Sequence, residues 1–152
     1  MYTVKLGNVA LARFNEAQAA GRVQEELIGH LNDALQASRQ SLAMLPTNAV
    51  NDLALVHNQL GAVYASAGDL DRALPHFREA IRYREAQGNR YGAGQTRYNV
   101  ALLLAQHGRL PDARLYAEAA LRDFESYGAR AAADVQNAQQ LLALIDQLLN
   151  ST

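Results

Sequence analysis

The histidines are the side chains of this sequence best suited by their chemistry to move protons or hold a metal ion near neutral pH. There are four of them, at positions 30, 57, 76 and 107. No two stand at the spacing of metal ligands beside a carboxylate, so the pattern predicts no metal site. We expect surface or half-buried polar side chains at these positions.

A glycine-rich stretch, GNRYGAGQT from Gly88 to Thr96, is the next candidate, because it resembles a phosphate-binding loop. Ala93 stands where the second glycine of such a loop belongs, and Gln95 stands where its lysine belongs. No strand pattern precedes the stretch. A turn between two helices is the simpler interpretation, and it gives no reason to expect nucleotide binding.

Carboxylates occur in pairs at Glu25 and Glu26 and at Asp69 and Asp71, an arrangement that general acid–base catalysis can use. Both pairs lie within a predicted helix or at its start, where carboxylates stabilise the helix dipole and cap backbone N–H groups. The sequence therefore predicts no enzyme, no catalytic residue and no cofactor.

Arginines and tyrosines alternate between residues 78 and 98, which makes this segment locally basic and aromatic. Its members are Arg78, Arg82, Arg84, Arg90 and Arg97, with Tyr83, Tyr91 and Tyr98 among them. Such a composition can hold RNA or an acidic peptide. On a helix these arginines point several ways, so a solvated helix face is the simpler interpretation. Nucleic acid is kept as a remote alternative partner.

The composition of the whole chain limits the classes of function. Its 152 residues include 14 basic and 15 acidic side chains, a formal net charge of -1 and no cysteine. The balanced charge gives no general attraction to nucleic acid or an anionic membrane, and the lack of cysteine excludes a disulfide framework. No apolar stretch reaches the roughly 18 residues of a membrane span, and the N-terminal residues lack a signal-peptide pattern. We expect a cytoplasmic chain.

The chain repeats itself about every forty residues. The segment from Gly68 to Arg90 aligns without a gap on the segment from Gly108 to Arg130. Identical pairs in this alignment are Gly68/Gly108, Leu70/Leu110, Ala73/Ala113, Ala80/Ala120, Arg82/Arg122, Glu85/Glu125, Gly88/Gly128 and Arg90/Arg130. Gly29 falls on the same period. So many matches predict a repeated structural unit.

Each unit is predicted to be a hairpin of two amphipathic helices. Apolar residues recur at helical spacing on both sides of Gly68 and of Gly108, and strand-type alternation is absent. A hairpin of this kind cannot cover its own apolar stripe, so stacking on a copy of itself is the expected remedy. Ser38 and Ser41 fall on the repeat positions of Phe77 and Ala80, so we expect packing residues there and not nucleophiles.

The units resemble the tetratricopeptide repeat (TPR) family. The central unit carries the resemblance through Leu60, Gly61, Tyr64, Gly68, Ala73, Phe77 and Ala80. The next unit keeps Gly108, Ala113 and Ala120, and the first unit aligns Gly29, Ala34 and Pro46 with one residue inserted near Gly21.

This resemblance implies an all-α fold, a right-handed superhelix of antiparallel helical hairpins with about seven helices. It implies a single domain over residues 1–152, with units at about 7–46, 48–88 and 90–128 and a capping helix over 131–149. Units of this length are similar to TPR arrays inside large bacterial signalling proteins. The resemblance therefore also implies a piece of a larger signalling or regulatory protein.

The family further implies a protein or peptide interaction module that receives its ligand on the concave surface lined by the first helix of each pair. Carried over residue by residue, that surface consists of Asn58, Gln59, Ala62, Ser66, Gln95, Tyr98, Asn99, Leu102 and Gln106. Asparagine and glutamine can bond both the N–H and the C=O groups of an extended peptide. The alternative partner is a second copy of the chain, docked through the apolar terminal helix or through the first hairpin.

Overall fold

The structure, a computed structural model, describes residues 12, 16, 24–46 and 48–151. These residues contain the helices α1 (Gln24–Met44), α2 (Val50–Ser66), α3 (Leu70–Ala86), α4 (Arg90–Gln106), α5 (Leu110–Glu125) and α6 (Ala132–Asn150). No strand occurs among the described residues, so the all-α class of consecutive helices is confirmed. The predicted leading helix of the first unit, with its insertion near Gly21, lies outside these residues.

Three consecutive turns share one geometry, in which a glycine follows each helix. Gly68, Gly88 and Gly108 have φ values of 79°, 71° and 75°, the left-handed region that glycine enters at little cost. In each turn the next residue donates its N–H to a carbonyl five residues back, from Asp69 to Tyr64, from Asn89 to Arg84 and from Arg109 to Leu104, all at 2.9 Å. This is the Schellman motif, which ends one helix and here leaves three residues before the next.

The prediction that Gly68 and Gly108 form the turns within the hairpins is confirmed, but Gly29 does not share their role. It lies inside α1, which is 21 residues long, whereas α2, α3 and α4 each have 17 residues. A glycine inside a helix costs only about 1 kcal/mol relative to alanine. The buried stripe formed by Ala34, Ala37 and Ser41 supports α1 strongly enough to carry the helix through it.

The alanines that recur in the aligned segments are buried. Ala73, Ala80, Ala113 and Ala120 are all at most 1% exposed. Larger apolar residues on both sides of Gly68, on α2 and α3, are also buried: Leu53, Val56, Leu60, Val63, Tyr64, Leu70, Leu74, Phe77 and Ile81.

The chain divides into two compact units, residues 1–80 and 81–152, with the boundary inside α3. The first unit has a cluster of Val56 and Leu60, against which Leu35, Leu42, Leu45 and Leu55 pack. The second has a cluster of Ala120, Phe124, Ala131 and Ala138, covered by Tyr91, Tyr98, Leu121, Tyr127 and Val135. The single-domain organisation and the superhelical sense stay predictions.

The terminal helix α6 follows a 3-10 turn at Gly128–Ala131 and packs against α5. Its buried residues are Ala138, Leu141 and Ile145. Leu142, the neighbour of Leu141, is only half-buried. None of the described helices is both long and apolar enough to cross a membrane.

Candidate functional site

One face of α4 carries four of the residues that the family resemblance assigns to a binding surface. Gln95, Asn99 and Gln106 are exposed, and Leu102 is half-buried. Their spacing of four, three and four residues aligns them along one side of the helix, and we refer to them as the α4 stripe. No other described side chain pairs with the amides of Asn99 and Gln106. These two amides are therefore available to a ligand.

The opposite face of α4 is held against α5 by small residues. Its buried positions are Gly92, Ala93, Gly94, Thr96, Val100, Ala101 and Leu104. A Cβ atom added to Gly94 would lie 2.9 Å from the Cβ atom of Asp123, so any side chain there would push α4 away from α5. This close approach fixes the rotation of α4 and keeps the α4 stripe turned away from α5.

Tyr98 lies at the edge of this arrangement and has a mixed role. It is half-buried and packs against the cluster that includes Ala120, Phe124 and Ala138. The ring is therefore a packing element of the second unit as well as a candidate contact residue. Truncating it would lower stability, so it cannot serve as a clean test of binding.

Beneath α4 a buried carboxylate joins two arginines of the basic segment. Asp123 is 5% exposed and accepts hydrogen bonds from Arg90 at 3.0 Å and from Arg97 at 2.6 Å. Arg97 also pairs with Glu85 at 3.3 Å. Burial by itself lowers the pKa of Arg97, but the hydrogen bond and charge of Asp123, together with Glu85, outweigh it, so the pKa is raised and the guanidinium stays charged.

This network includes arginines of the segment between residues 78 and 98 that is rich in arginine and tyrosine. Two of its five arginines, Arg90 and Arg97, are neutralised by carboxylates of the same unit. A third, Arg82, lies with its guanidinium carbon 4.9 Å from the centre of the Tyr83 ring. These three side chains therefore take part in local contacts, and a nucleic-acid partner stays a remote prediction.

A surface pocket of about 300 Å³ lies at the N-terminal end of α4, and the sequence did not predict it. It is lined by Asn89, Tyr91, Tyr127, Arg130 and Ala131. The backbone N–H of Tyr91 donates to the hydroxyl of Tyr127 at 3.0 Å, which fixes the two aromatic walls. The guanidinium of Arg130 lies 5.3 Å from the centre of the Tyr127 ring, and no described carboxylate pairs with it.

The pocket adjoins the α4 stripe through the hydroxyl of Tyr91. This hydroxyl donates to Asp134 at 2.8 Å and is also hydrogen-bonded by Gln95. Because Asp134 accepts a hydrogen bond from the Tyr91 hydroxyl, it raises the pKa of Tyr91 above its usual value. The phenol therefore stays protonated at neutral pH. The repeated pattern gave no signal for this pocket, because Tyr127 and Arg130 lie in the turn before α6, outside the helices that the family assigns to binding.

The four binding residues predicted on α2 are less open. Ser66 is exposed, Asn58 and Ala62 are half-buried, and Gln59 is only 6% exposed. The α2 positions therefore present much less surface than the α4 stripe. Their participation in binding stays a prediction.

Two of the histidines, which looked scattered in the sequence, come together in the first unit. The Nδ1 atoms of His57 on α2 and His76 on α3 lie 3.1 Å apart. Their spacing of 19 residues is not a ligand motif, but the two lie on opposite arms of a hairpin that turns at Gly68, which was the available signal. Ser38 and Ser41 are buried at 1% and 2% exposure, as expected for packing residues. The described residues contain no group of three or more potential metal ligands.

Comparison with known families agrees with the helical pairs and their turns. Residues 52–126 match the family model described as tetratricopeptide repeat, a segment that covers α3, α4 and α5 and all but the first two residues of α2. No curated protein matches the chain. Repeats of this family act as interaction scaffolds and not as enzymes. Residues 52–126 therefore belong to the tetratricopeptide repeat family, whose members generally mediate protein–protein interaction.

Proposed function

We propose that the chain is a protein-interaction module that binds an extended segment of a partner protein along the α4 stripe. The observation that carries this proposal is the row of exposed amides on α4, at Gln95, Asn99 and Gln106, with Leu102 among them. An amide can donate to a backbone C=O and accept from a backbone N–H. Such a row suits an extended peptide, whose own backbone groups are unpaired before it binds.

The pocket beside Gln95 supports the same proposal, because it can hold one side chain of the bound segment. Two tyrosine rings give it apolar walls, and Arg130 supplies a cation at its rim. Aromatic pockets next to a polar surface are typical sites of the few contacts that carry most of the affinity at an interface. The segment that fits has an apolar side chain next to an acidic residue.

A displayed library of random short peptides, selected on the purified chain, tests this proposal. We expect the Gln95→Ala/Asn99→Ala variant to bind a selected peptide about tenfold more weakly, because it loses two amide contacts of about 1 kcal/mol each or less. Fluorescence anisotropy with the synthetic peptide gives the Kd of each chain.

The Gln36→Ala/Gln40→Ala variant is the matched control, since it also removes two exposed amides four residues apart on a helix. Its Kd should stay close to that of the unaltered chain. Equal weakening in both variants, or selected peptides that ignore the Gln95 and Asn99 changes, would refute a binding role for α4. The signalling context that the family resemblance implies remains a separate prediction.

A further inference from the structure

His57 on α2 and His76 on α3 are in direct polar contact in the first unit. Their Nδ1 atoms lie 3.1 Å apart and their ring centres 5.3 Å apart. His57 is only 9% exposed and His76 is half-buried. Two titratable rings thus meet across the hairpin of α2 and α3, one of them buried and the other half-buried.

The geometry of the pair is that of an N–H···N hydrogen bond. The distance between the ring centres exceeds the distance between the two Nδ1 atoms. The difference is nearly twice the distance from a ring centre to its own nitrogen, so the two nitrogens lie between the ring centres and face each other. One Nδ1 must carry a hydrogen and donate, while the other must present its lone pair and accept. A shared metal ion would need both lone pairs to converge on a point beside the line that joins them, and the described residues offer no third ligand there.

The surroundings of the pair disfavour additional positive charge. The ring of His76 stacks on the ring of Tyr64 at 9° and 5.7 Å, and the Tyr64 hydroxyl accepts a hydrogen bond from the guanidinium of Arg39 on α1. Burial, the neighbouring His57 and the charge of Arg39 all lower the pKa of His76, and only Glu79 on α3 raises it. Arg39 on α1 and His57 on α2 therefore both lower the pKa of His76.

We propose that His57 and His76 form a proton-sensitive latch that fastens α2 to α3. While the latch is closed, a single hydrogen lies between the two Nδ1 atoms. A proton can still bind at the outer nitrogen of the donor ring, which keeps the bridge and places one charge on the pair. A proton on the accepting Nδ1 puts two N–H groups face to face and two cations side by side, so the latch opens.

The sign of the pH dependence follows from the number of protons that each state binds. In the unfolded chain both histidines titrate near pH 6.5, whereas the closed latch binds fewer protons at the same pH. The stabilisation is therefore complete above about pH 6.5 and is lost progressively as the pH falls below that value. For each proton that the unfolded chain binds and the folded chain does not, the unfolding equilibrium constant rises about tenfold for each unit by which the pH falls in this window.

Urea unfolding at a series of pH values from about 7.5 to about 5.5 tests the latch. We expect the unfolding constant of the unaltered chain to rise about tenfold or more over this range relative to that of a His57→Gln/His76→Gln variant. The His107→Gln variant is the control, since His107 is exposed and bonds only the Leu103 carbonyl of its own helix. It should keep the full pH dependence. An equal dependence in the double variant would overturn the proposal.

Nuclear magnetic resonance of the imidazole nitrogens provides a second test on the unaltered chain, which does not rely on a variant that folds. The latch requires one Nδ1 of the pair to be protonated and the other to be a bare acceptor at neutral pH. It also requires the second proton uptake to coincide with changes in the backbone signals of α2 and α3. Two independent titrations near pH 6.5 that leave those signals unchanged would refute it.

Discussion

Asp123 is the residue on which the charge balance of the second unit depends. Its two carboxylate oxygens each accept a hydrogen bond from a different arginine, Arg90 and Arg97, and its side chain is only 7% exposed. The side chain of Arg97 is 19% exposed, so its charge is poorly solvated as well. Removing the carboxylate would leave that cation with only the more exposed Glu85 as a partner, in a place with limited access to water.

We therefore expect Asp123→Asn to destabilise the chain by about 2 to 3 kcal/mol, since it removes two charge-assisted hydrogen bonds but keeps the shape of the side chain. Chemical denaturation followed by circular dichroism measures the change. Asp146→Asn is the matched control, because Asp146 pairs with Arg114 between α5 and α6 at 2.9 Å, with both side chains more than two-fifths exposed. An exposed pair of this kind contributes about 1 kcal/mol or less. Similar losses in the two variants would show that the burial of Asp123 has no special effect.

At the scale of residues, the sequence predicted small side chains well and polar contacts poorly. Ala73 and Ala113 were identified because their positions repeat, and a small residue repeated at one position of two helices is typical of a close contact between helices. The contact between His57 and His76 and the burial of Gln59 depend on the rotation of α2 within a few tens of degrees. The spacing of apolar residues does not define the rotation of a helix about its axis to that precision. These two features could therefore not be predicted from the sequence.

Among the elements, α6 shows how one helix divides its leucines and isoleucine between two environments. Leu141 and Ile145 face α5 and are buried, whereas Leu144 and Leu148 are 50% and 40% exposed. The helix therefore covers the apolar side of α5 with one face and presents a partly apolar face to solvent. The capping role expected for the terminal helix stays a prediction.

The same helix supplies a matched pair of substitutions. We expect Ile145→Ala to cost about 2 to 4 kcal/mol, because it leaves a cavity where Ile145 is fully buried. Leu148→Ala should cost less than about 1 kcal/mol, since much of that side chain is already in water. Thermal unfolding of both variants, with the loss of helical signal as readout, measures the difference. Equal melting temperatures would mean that α6 is a loosely held tail.

The helix boundaries were predictable because the turn glycines and the helical spacing of the apolar residues indicated the same boundaries. Two glycines twenty residues apart enclosed each of α3 and α5, and the helices found there end within a few residues of those glycines. Gly29 misled the same reasoning, because a glycine ends a helix only where the chain can adopt a positive φ and the flanking residues allow a turn. The burial of Ala34 and Ser41 favours continuing α1, and local sequence does not reveal that burial.

For the molecule as a whole, the exposed apolar residues decide between binding a different protein and binding a copy of itself. Among the described residues, the exposed large apolar side chains are Met44 in the first unit, at 75%, and Leu115, Leu144 and Leu148 in the second unit, at 64%, 50% and 40%. A stable dimer buries about 800 Å² on each partner, which is far more than these four side chains supply. Their exposure alone does not require a second copy of the chain.

We therefore expect a monomer at micromolar concentration, measured by sedimentation equilibrium. A Leu144→Gln/Leu148→Gln variant should have the same mass as the unaltered chain. A dimer that this variant dissolves would establish the alternative, in which the terminal helix docks on a second copy.

The identical turns at Gly68, Gly88 and Gly108 also restrict how the length of this chain can change during evolution. Each residue of an α-helix rotates the next by about 100°, so one inserted residue within α4 would turn the second half of that helix away from its packed face. Single side chains can be substituted without this effect. A change of one residue in the length of a helix between two turn glycines, however, would break the packing contacts of one half of that helix. Addition or loss of a whole hairpin changes the length without disturbing these contacts.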